Sequence, residues 1–286
     1  MTTPTSLAVI GAGTMGSGIT LVAAGAGLAA YQVDISPEQL DRAKGYHRKT
    51  LERNVEKARM TREQADQVLG RITYCKSMDD AETAQFAVEA ATENAEVKKK
   101  LFVSMKETFG DQVILATNTS SISITDIARS VGDAAPRVIG MHFFNPVPVM
   151  KLVEVIRGLA TSDGTTQTTI ALATALGKTP IPANDRAGFV SNRVLMPMIN
   201  EAFHAWMGGV AEPANIDEIM KLGCNFPMGP LRLADFIGLD VCHDIMMVLY
   251  RELGDPKYFP CPLLRQLVQS GRLGDKSGRG VFEYGK

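Results

Sequence analysis

Two rhythms of apolar and polar positions divide this chain. In its first half, short apolar runs of strand length recur at Leu7–Gly11, Leu28–Val33, Ile72–Lys76, Phe86–Ala91, Val113–Ala116 and Val138–Met141. Stretches of helical pattern lie between them, at Ser17–Ala26, 37–69, Lys98–Phe109 and 124–131. Apolar runs alternating with helices predict a doubly wound, mostly parallel sheet that presents its ligands at the carboxyl edge. Residues 37–69 are long and polar, bracketed by Pro37 and Gly70 as start and stop signals, and predict a helical hairpin inserted near 37–70. The Val138–Met141 run delivers His142, the segment 145–148 (Asn-Pro-Val-Pro) reverses the chain, and a second β-rich run, Leu152–Ile156, carries Glu154. Thr165–Leu176 reads as a helix closed by Gly177, Thr179–Ala183 as an extended piece and Asn184–Gly188 as a turn. Beyond that turn the pattern is helical: Phe189–Met207, with Pro197 expected to kink or break it, then Ala214–Lys221 and Leu231–Tyr250. Only Val281–Tyr284 returns to a β pattern. Two domains follow, 1–186 around the sheet and 187–286 all helical. The helices of the second carry more apolar surface than a small bundle needs internally, which suggests a homodimer face, with a well-packed bundle as the plainer alternative.

Composition narrows the classes. The chain has 286 residues, 45% hydrophobic and 21% charged, with a formal net charge of −1, an ordinary globular balance with length for a large core. No basic cluster of the kind that grips nucleic acid is present, and no apolar run reaches the ~20 residues of a membrane span. The opening residues lack a basic segment followed by an apolar signal core. Cys75, Cys224, Cys242 and Cys261 form no CxxC pair and no zinc spacing, and read as free thiols of a reducing, cytoplasmic compartment.

Two constellations carry chemistry. Gly11-Ala12-Gly13-Thr14-Met15-Gly16 follows the first strand, opens a helix, and is succeeded by a second strand ending in Asp34. Gly11 permits a tight turn, Gly13 lets the backbone approach a pyrophosphate, Gly16 lets the helix pack on the strand, and the helix N-terminus faces the phosphates. Asp34 is placed to bond the ribose hydroxyls of NAD and to repel a 2′-phosphate. A bare GxGxxG is a weak signal; with both strands, the helix and the acid in place it predicts a dinucleotide site in a sheet of the Rossmann type. The second constellation is His142 with Glu154. Two strands joined by a rigid turn can hold an imidazole against a carboxylate, a general base with its orienting group. A histidine capping a strand beside a surface glutamate is the plainer alternative. Polar strand ends at 90–94 and 117–121 look like site lining, although Ser123 also suits simple helix capping. The basic residues of 47–59, among them His47, Arg53 and Lys57, read by default as a solvated helical face.

The motifs together resemble the L-3-hydroxyacyl-CoA dehydrogenase family, and among its members the bacterial 3-hydroxybutyryl-CoA enzymes. The resemblance covers essentially the whole chain. It rests on Gly11–Gly16, Glu89–Asn94, Asn118–Ser121, the highly specific His142–Glu154 run, Gly188–Arg193, Met220–Gly223, Pro227–Pro230 and Gly238–Asp240. It implies interconversion of (S)-3-hydroxyacyl-CoA and 3-oxoacyl-CoA with NAD(H), on short acyl chains. His142 is then the general acid/base oriented by Glu154, and Ser120 and Asn192 contact the substrate oxygen. Gly11, Ala12, Gly13, Thr14, Met15, Gly16, Asp34, Glu93, Lys98, Asn118, Ser120, Asn145 and Lys276 belong to the cofactor site. Thr50, Arg53 and Lys57 become a CoA site, which replaces the default reading of the hairpin because CoA phosphates suit a basic helix. Closure of the two domains would complete the site and exclude water. Two residues depart from the family pattern, Ala187 where proline is usual and Ser191 where an aliphatic residue is usual; both flank Asn192. Two other readings are a dehydrogenase of free hydroxy acids and a non-catalytic NAD-binding protein on the same scaffold. The basic 47–59 segment weighs against the first, and joint retention of Ser120, His142, Glu154 and Asn192 against the second.

Overall fold

The computed structural model describes residues 3–285. The chain forms two compact units, Met1–Asp185 and Arg186–Lys286.

The first unit contains β1 (Ser6–Ile10), α1 (Thr14–Gly25), β2 (Ala29–Val33), α2 (Pro37–Glu56), α3 (Arg62–Gly70), β3 (Ile72–Cys75) and β4 (Phe86–Glu89). It continues with α4 (Ala95–Thr108), β5 (Ile114–Thr117), α5 (Ile124–Arg129), β6 (Val138–Phe143), β7 (Leu152–Arg157), α6 (Asp163–Ala175) and β8 (Thr179–Asn184). The strands lie in the order β3-β2-β1-β4-β5-β6-β7-β8. Every neighbouring pair is parallel except β6 with β7. The doubly wound sheet is therefore present, and its order reverses between β1 and β4, where a crevice opens at the carboxyl ends. Strands β4, β5 and β6 are buried along their whole length, as expected of a sheet covered on both faces by helices. The outer strand β8 carries Pro180 and Pro182, paired in register with Val153 and Val155 of β7. Proline has no N–H to offer a further strand, so this edge is blunted.

The 37–69 stretch divides where its chemistry says it should. Ser36 caps α2, and Thr61 with Gln64 forms a complete capping box that opens α3, a device worth about 1 kcal/mol. On α2 the buried stripe is Leu40, Ala43, His47 and Leu51. His47 thus departs from the solvated face expected of it. It is fully buried, with Nε2 donating to the Ser17 carbonyl (2.8 Å) and Nδ1 accepting from the Tyr74 hydroxyl (2.8 Å). Only the neutral ring satisfies both partners in those roles.

The second unit contains α7 (Ser191–Met207), α8 (Pro213–Cys224), α9 (Pro230–Ile237), α10 (Leu239–Leu253) and α11 (Pro262–Gln269). The expected Leu231–Tyr250 helix is two helices. They are broken at Gly238, whose φ of 107° no helix accommodates. The helix α7 runs through Pro197 without ending. The β pattern at Val281–Tyr284 does not make a strand. The Val281 and Phe282 amides and the Tyr284 hydroxyl instead donate to the buried carboxylate of Asp235. The short helix α11 went unpredicted. Met196, Ile199, Phe203, Leu231, Leu239, Met246, Leu249 and Leu264 form this unit's own core.

Burial pushes the His47 pKa below the ordinary imidazole value. The unfolded chain then binds the extra proton first as pH falls. The stabilisation is complete above about pH 6.5 and is lost between there and the lower native pKa. Denaturation midpoints at pH 7.5 and 5.5 should fall further apart in the wild type than in His47→Gln; equal drops would remove His47 as the source.

Candidate active site

The carboxyl ends of β1, β2, β4, β5 and β6 share one rim, because these strands are parallel. At β1 the chain turns through Gly11 (φ 107°), where a side chain would run into the backbone of Ala90 and Ala91. A side chain at Gly16 would strike the Gly11 carbonyl, so α1 packs tightly behind the turn. At Gly13, which caps α1, nothing stands within 4 Å of an added Cβ, and no side chain caps the helix. The Gly11-Ala12-Gly13-Thr14-Met15-Gly16 turn therefore offers backbone N–H groups, a helix N-terminus and open space together, a fit for a pyrophosphate. At the end of β2, Asp34 Oδ2 accepts from the Ala12 amide (2.8 Å) and Oδ1 from the Ser36 amide (2.9 Å). The carboxylate is held against the glycine turn with lone pairs left for a diol. These residues fit a dinucleotide with an unphosphorylated ribose.

The rim after β4 and β5 is a network of carboxylates and hydroxyls. Glu93 Oε1 accepts from Thr119 Oγ1 (2.7 Å), the Ser120 amide (2.9 Å) and Ser120 Oγ (3.0 Å). Asn118 Oδ1 accepts from the Phe143 amide (2.9 Å) and so ties the end of β5 to the end of β6. Ser123 caps α5, the role its position suggested. Lys98, also expected in the cofactor site, lies at the base of the rim, and only 1% of it is exposed. Its ammonium bonds Glu89 (2.6 Å) and stands 3.7 Å from Glu93. Removing one member of such a buried pair costs about 3–5 kcal/mol, because it strands the other's charge.

His142 and Glu154 face each other directly across β6 and β7, the antiparallel pair. Nδ1 lies 2.8 Å from Glu154 Oε2, and both residues are buried. A carboxylate can only accept, so Nδ1 carries the hydrogen and Nε2 is left as the nitrogen able to take a proton. The ring also lies against Phe144, with centroids 4.6 Å apart. Between the two strands, Asn145 is exposed at the head of a turn that begins with a cis Asn145–Pro146 bond. Lys178 holds this turn from beneath, donating to the carbonyls of Val147 and Met150 (2.9 Å to the latter). Burial lowers its pKa.

Thr50 and Arg53 lie on α2 and Lys57 is its C-cap, at spacings of three and four, beside the stripe that holds His47. In the helical unit, Asn192 is buried in the first turn of α7, preceded by Gly188 (φ 75°) and Phe189 (φ 50°). A bulky residue in the left-handed region is strained and tends to mark a constrained functional turn. The cap of α7 is Val190. Lys276 bonds Asp240 at the start of α10 (2.6 Å).

Glu89 and Lys178 are the site-supporting residues that sequence reasoning passed over. Glu89 had a signal, a carboxylate closing the otherwise apolar strand Phe86–Glu89. Lys178, following Gly177 at a helix end, had none.

The fold, the glycine turn with the Asp34 carboxylate held against it and the histidine–carboxylate pair define an NAD-dependent dehydrogenase. Residues 6–186 match the family model described as 3-hydroxyacyl-CoA dehydrogenase, NAD binding domain, and residues 188–284 the one described as 3-hydroxyacyl-CoA dehydrogenase, C-terminal domain. The chain belongs to the 3-hydroxyacyl-CoA dehydrogenase family. It is similar to a protein of Bacillus subtilis (strain 168) named probable 3-hydroxybutyryl-CoA dehydrogenase, 52% identical over 276 residues and 96% of each chain. A Deinococcus radiodurans protein of the same name is 53% identical, across 96% of this chain and 99% of that one. Among solved structures, (S)-3-hydroxybutyryl-CoA dehydrogenase PaaH1 from Ralstonia eutropha superposes with a TM-score of 0.97 at 48% identity, covering 99% of this chain and 100% of that one.

Replacing Asp34 with alanine should weaken NADH binding and narrow the preference over NADPH, read by fluorescence titration with each nucleotide. Unchanged selectivity would show that Asp34 does not read the ribose.

Proposed function

We propose that this protein interconverts (S)-3-hydroxybutyryl-CoA and acetoacetyl-CoA with NAD(H). The observation that carries the catalytic part is the buried 2.8 Å contact between His142 and Glu154. The names of the relatives and of the solved neighbour support the short acyl chain. The nicotinamide cofactor supplies the hydride exchange when bound. His142 Nε2 takes the proton of the 3-hydroxyl in oxidation and returns it in reduction. Glu154 holds the ring in the tautomer that makes this possible and favours the imidazolium that forms. Ser120, on the rim, and Asn192, from the helical unit, serve the oxygen on which negative charge develops, a task worth roughly 2–4 kcal/mol per donor. Glu93, Lys98, Asn118, Asn145 and Lys276 support the cofactor, and Thr50, Arg53 and Lys57 meet CoA.

The helical unit is proposed as the homodimer face. Val210, Ile219 and Leu222 are 77%, 62% and 78% exposed, apolar side chains that the unit's own core leaves outside. None of the helices among the described residues is long and apolar enough to cross a membrane. The chain's four cysteines are free thiols, which supports the expected reducing, cytoplasmic setting.

NADH oxidation with acetoacetyl-CoA, against free acetoacetate as control, tests the substrate class. Turnover with the thioester alone is expected; equal turnover of the free acid would favour a hydroxy-acid dehydrogenase. His142→Gln should lower kcat at least ~100-fold with NADH affinity little changed. Near-wild-type turnover would remove His142 as the base.

A further inference from the structure

The row of α2 that carries Thr50 and Arg53 and ends at Lys57 begins one turn earlier, at an aromatic side chain with no role so far. Tyr46 stands four residues before Thr50, seven before Arg53 and eleven before Lys57. At ~100° per residue these positions fall within roughly 60° of arc. Arg42 and Lys49 edge the same row, Glu38 and Glu56 lie at its margin, and Asp41 and Glu52 stand about 120° or more round the helix from Tyr46. Cations therefore surround the aromatic ring. The ring is 37% exposed and is held from below. It packs edge-on to the buried His47, with centroids 5.8 Å apart and planes at 62°. Burial pushes the Tyr46 phenol above its ordinary pKa, and a hydrogen bond with the Thr50 side chain opposes the shift. Beside it, Gly45 interrupts the helix with a residue that helices disfavour, although nothing stands within 4 Å of an added Cβ. The surface next to Tyr46 is thus left clear of side chains.

We infer, on the reading of Thr50, Arg53 and Lys57 as CoA ligands, that Tyr46 is a specificity-determining residue for the nucleotide end of CoA, its ring the platform on which the adenine stacks. That end of CoA is a purine between a pyrophosphate and a 3′-phosphate. Cations on a helix face hold phosphates, but they do so for any polyanion. A purine offers a flat π-face as well, and an aromatic ring set among cations matches both features at once. The Tyr46 ring is held by Thr50 and His47 before any ligand arrives, so little side-chain freedom is lost on binding. Contacts to the nucleotide lie away from the reacting carbons and are the same in the ground state and the transition state. They therefore act on KM and not on kcat.

Two thioesters with the same acyl group and the same pantetheine arm test this: acetoacetyl-CoA, and acetoacetyl-pantetheine, which lacks the nucleotide. In Tyr46→Ala the KM for acetoacetyl-CoA should rise about 5- to 20-fold, with kcat within about twofold of the wild type. The kcat/KM for acetoacetyl-pantetheine should not change. Tyr46→Phe keeps the ring and loses only the hydroxyl, and should restore the KM for acetoacetyl-CoA to within about twofold of the wild type. An unchanged KM in Tyr46→Ala overturns the inference. So does an equal loss with both esters, or a phenylalanine variant as impaired as the alanine one. The wild type separates this failure from that of the reading beneath it. Equal wild-type KM values for the two esters remove the CoA assignment of α2 itself. A wild-type preference for the CoA ester that survives Tyr46→Ala removes Tyr46 alone.

Discussion

The site depends on one strand pairing. β7 is the strand that runs against its neighbour, and its register sets Glu154 opposite His142. Strand side chains alternate between faces, so a slip of one residue would send the carboxylate to the other face of the sheet and leave the imidazole unoriented. Much of the surrounding structure guards that register. Val153 and Val155 pack in the main core on either side of Glu154. Asn118 fastens the start of the turn through the Phe143 amide, and Lys178 fastens its end through the carbonyls of Val147 and Met150. The proline-bearing edge strand β8 covers β7 and cannot recruit a further strand.

The rest of the rim follows from parallel pairing. Strands that all point one way bring their carboxyl ends together, so Gly11, Asp34, Glu89, Thr117 and His142, far apart in the chain, end on one line. Polar groups at such ends are half in the core and half out, and this chain uses both positions. Glu89 and Lys98 sit inside, where an unpaired charge would be costly and their pairing is nearly complete. Glu93 and Ser120 sit outside, where a ligand can compete for their hydrogen bonds.

The hairpin of α2 and α3 shows one helix serving two purposes. Its buried stripe, with His47 bonded to Ser17 and Tyr74, fastens it to α1 and β3, while the residues proposed to meet CoA, Thr50, Arg53 and Lys57, lie beside that stripe. Sequence spacing alone cannot separate these stripes, because basic and aromatic residues on both can bury their stems.

Local signals in the chain were enough for the alternation of strands and helices, the glycine turn with its acid, the helical hairpin, and the all-helical second unit. Strand runs, capping residues and glycine spacing act over a few residues, and the physics that reads them is equally local. The pairing of His142 with Glu154 was legible in the same way, as two β runs joined by a turn. Other features needed the folded chain. The break at Gly238 depends on a backbone angle that the flanking apolar pattern hides. The Val281–Tyr284 segment has strand-like residues, but its amides and hydroxyl answer to Asp235, a partner far back in the chain. His47 reads as part of a solvated face and Lys98 as a cofactor residue, yet each is buried because its partners, Ser17 and Tyr74 for one and Glu89 and Thr117 for the other, arrive from separate strands and helices. Whether an ionisable side chain is a solvated face or a buried strut is decided by what packs over it, and that is a property of the tertiary structure alone.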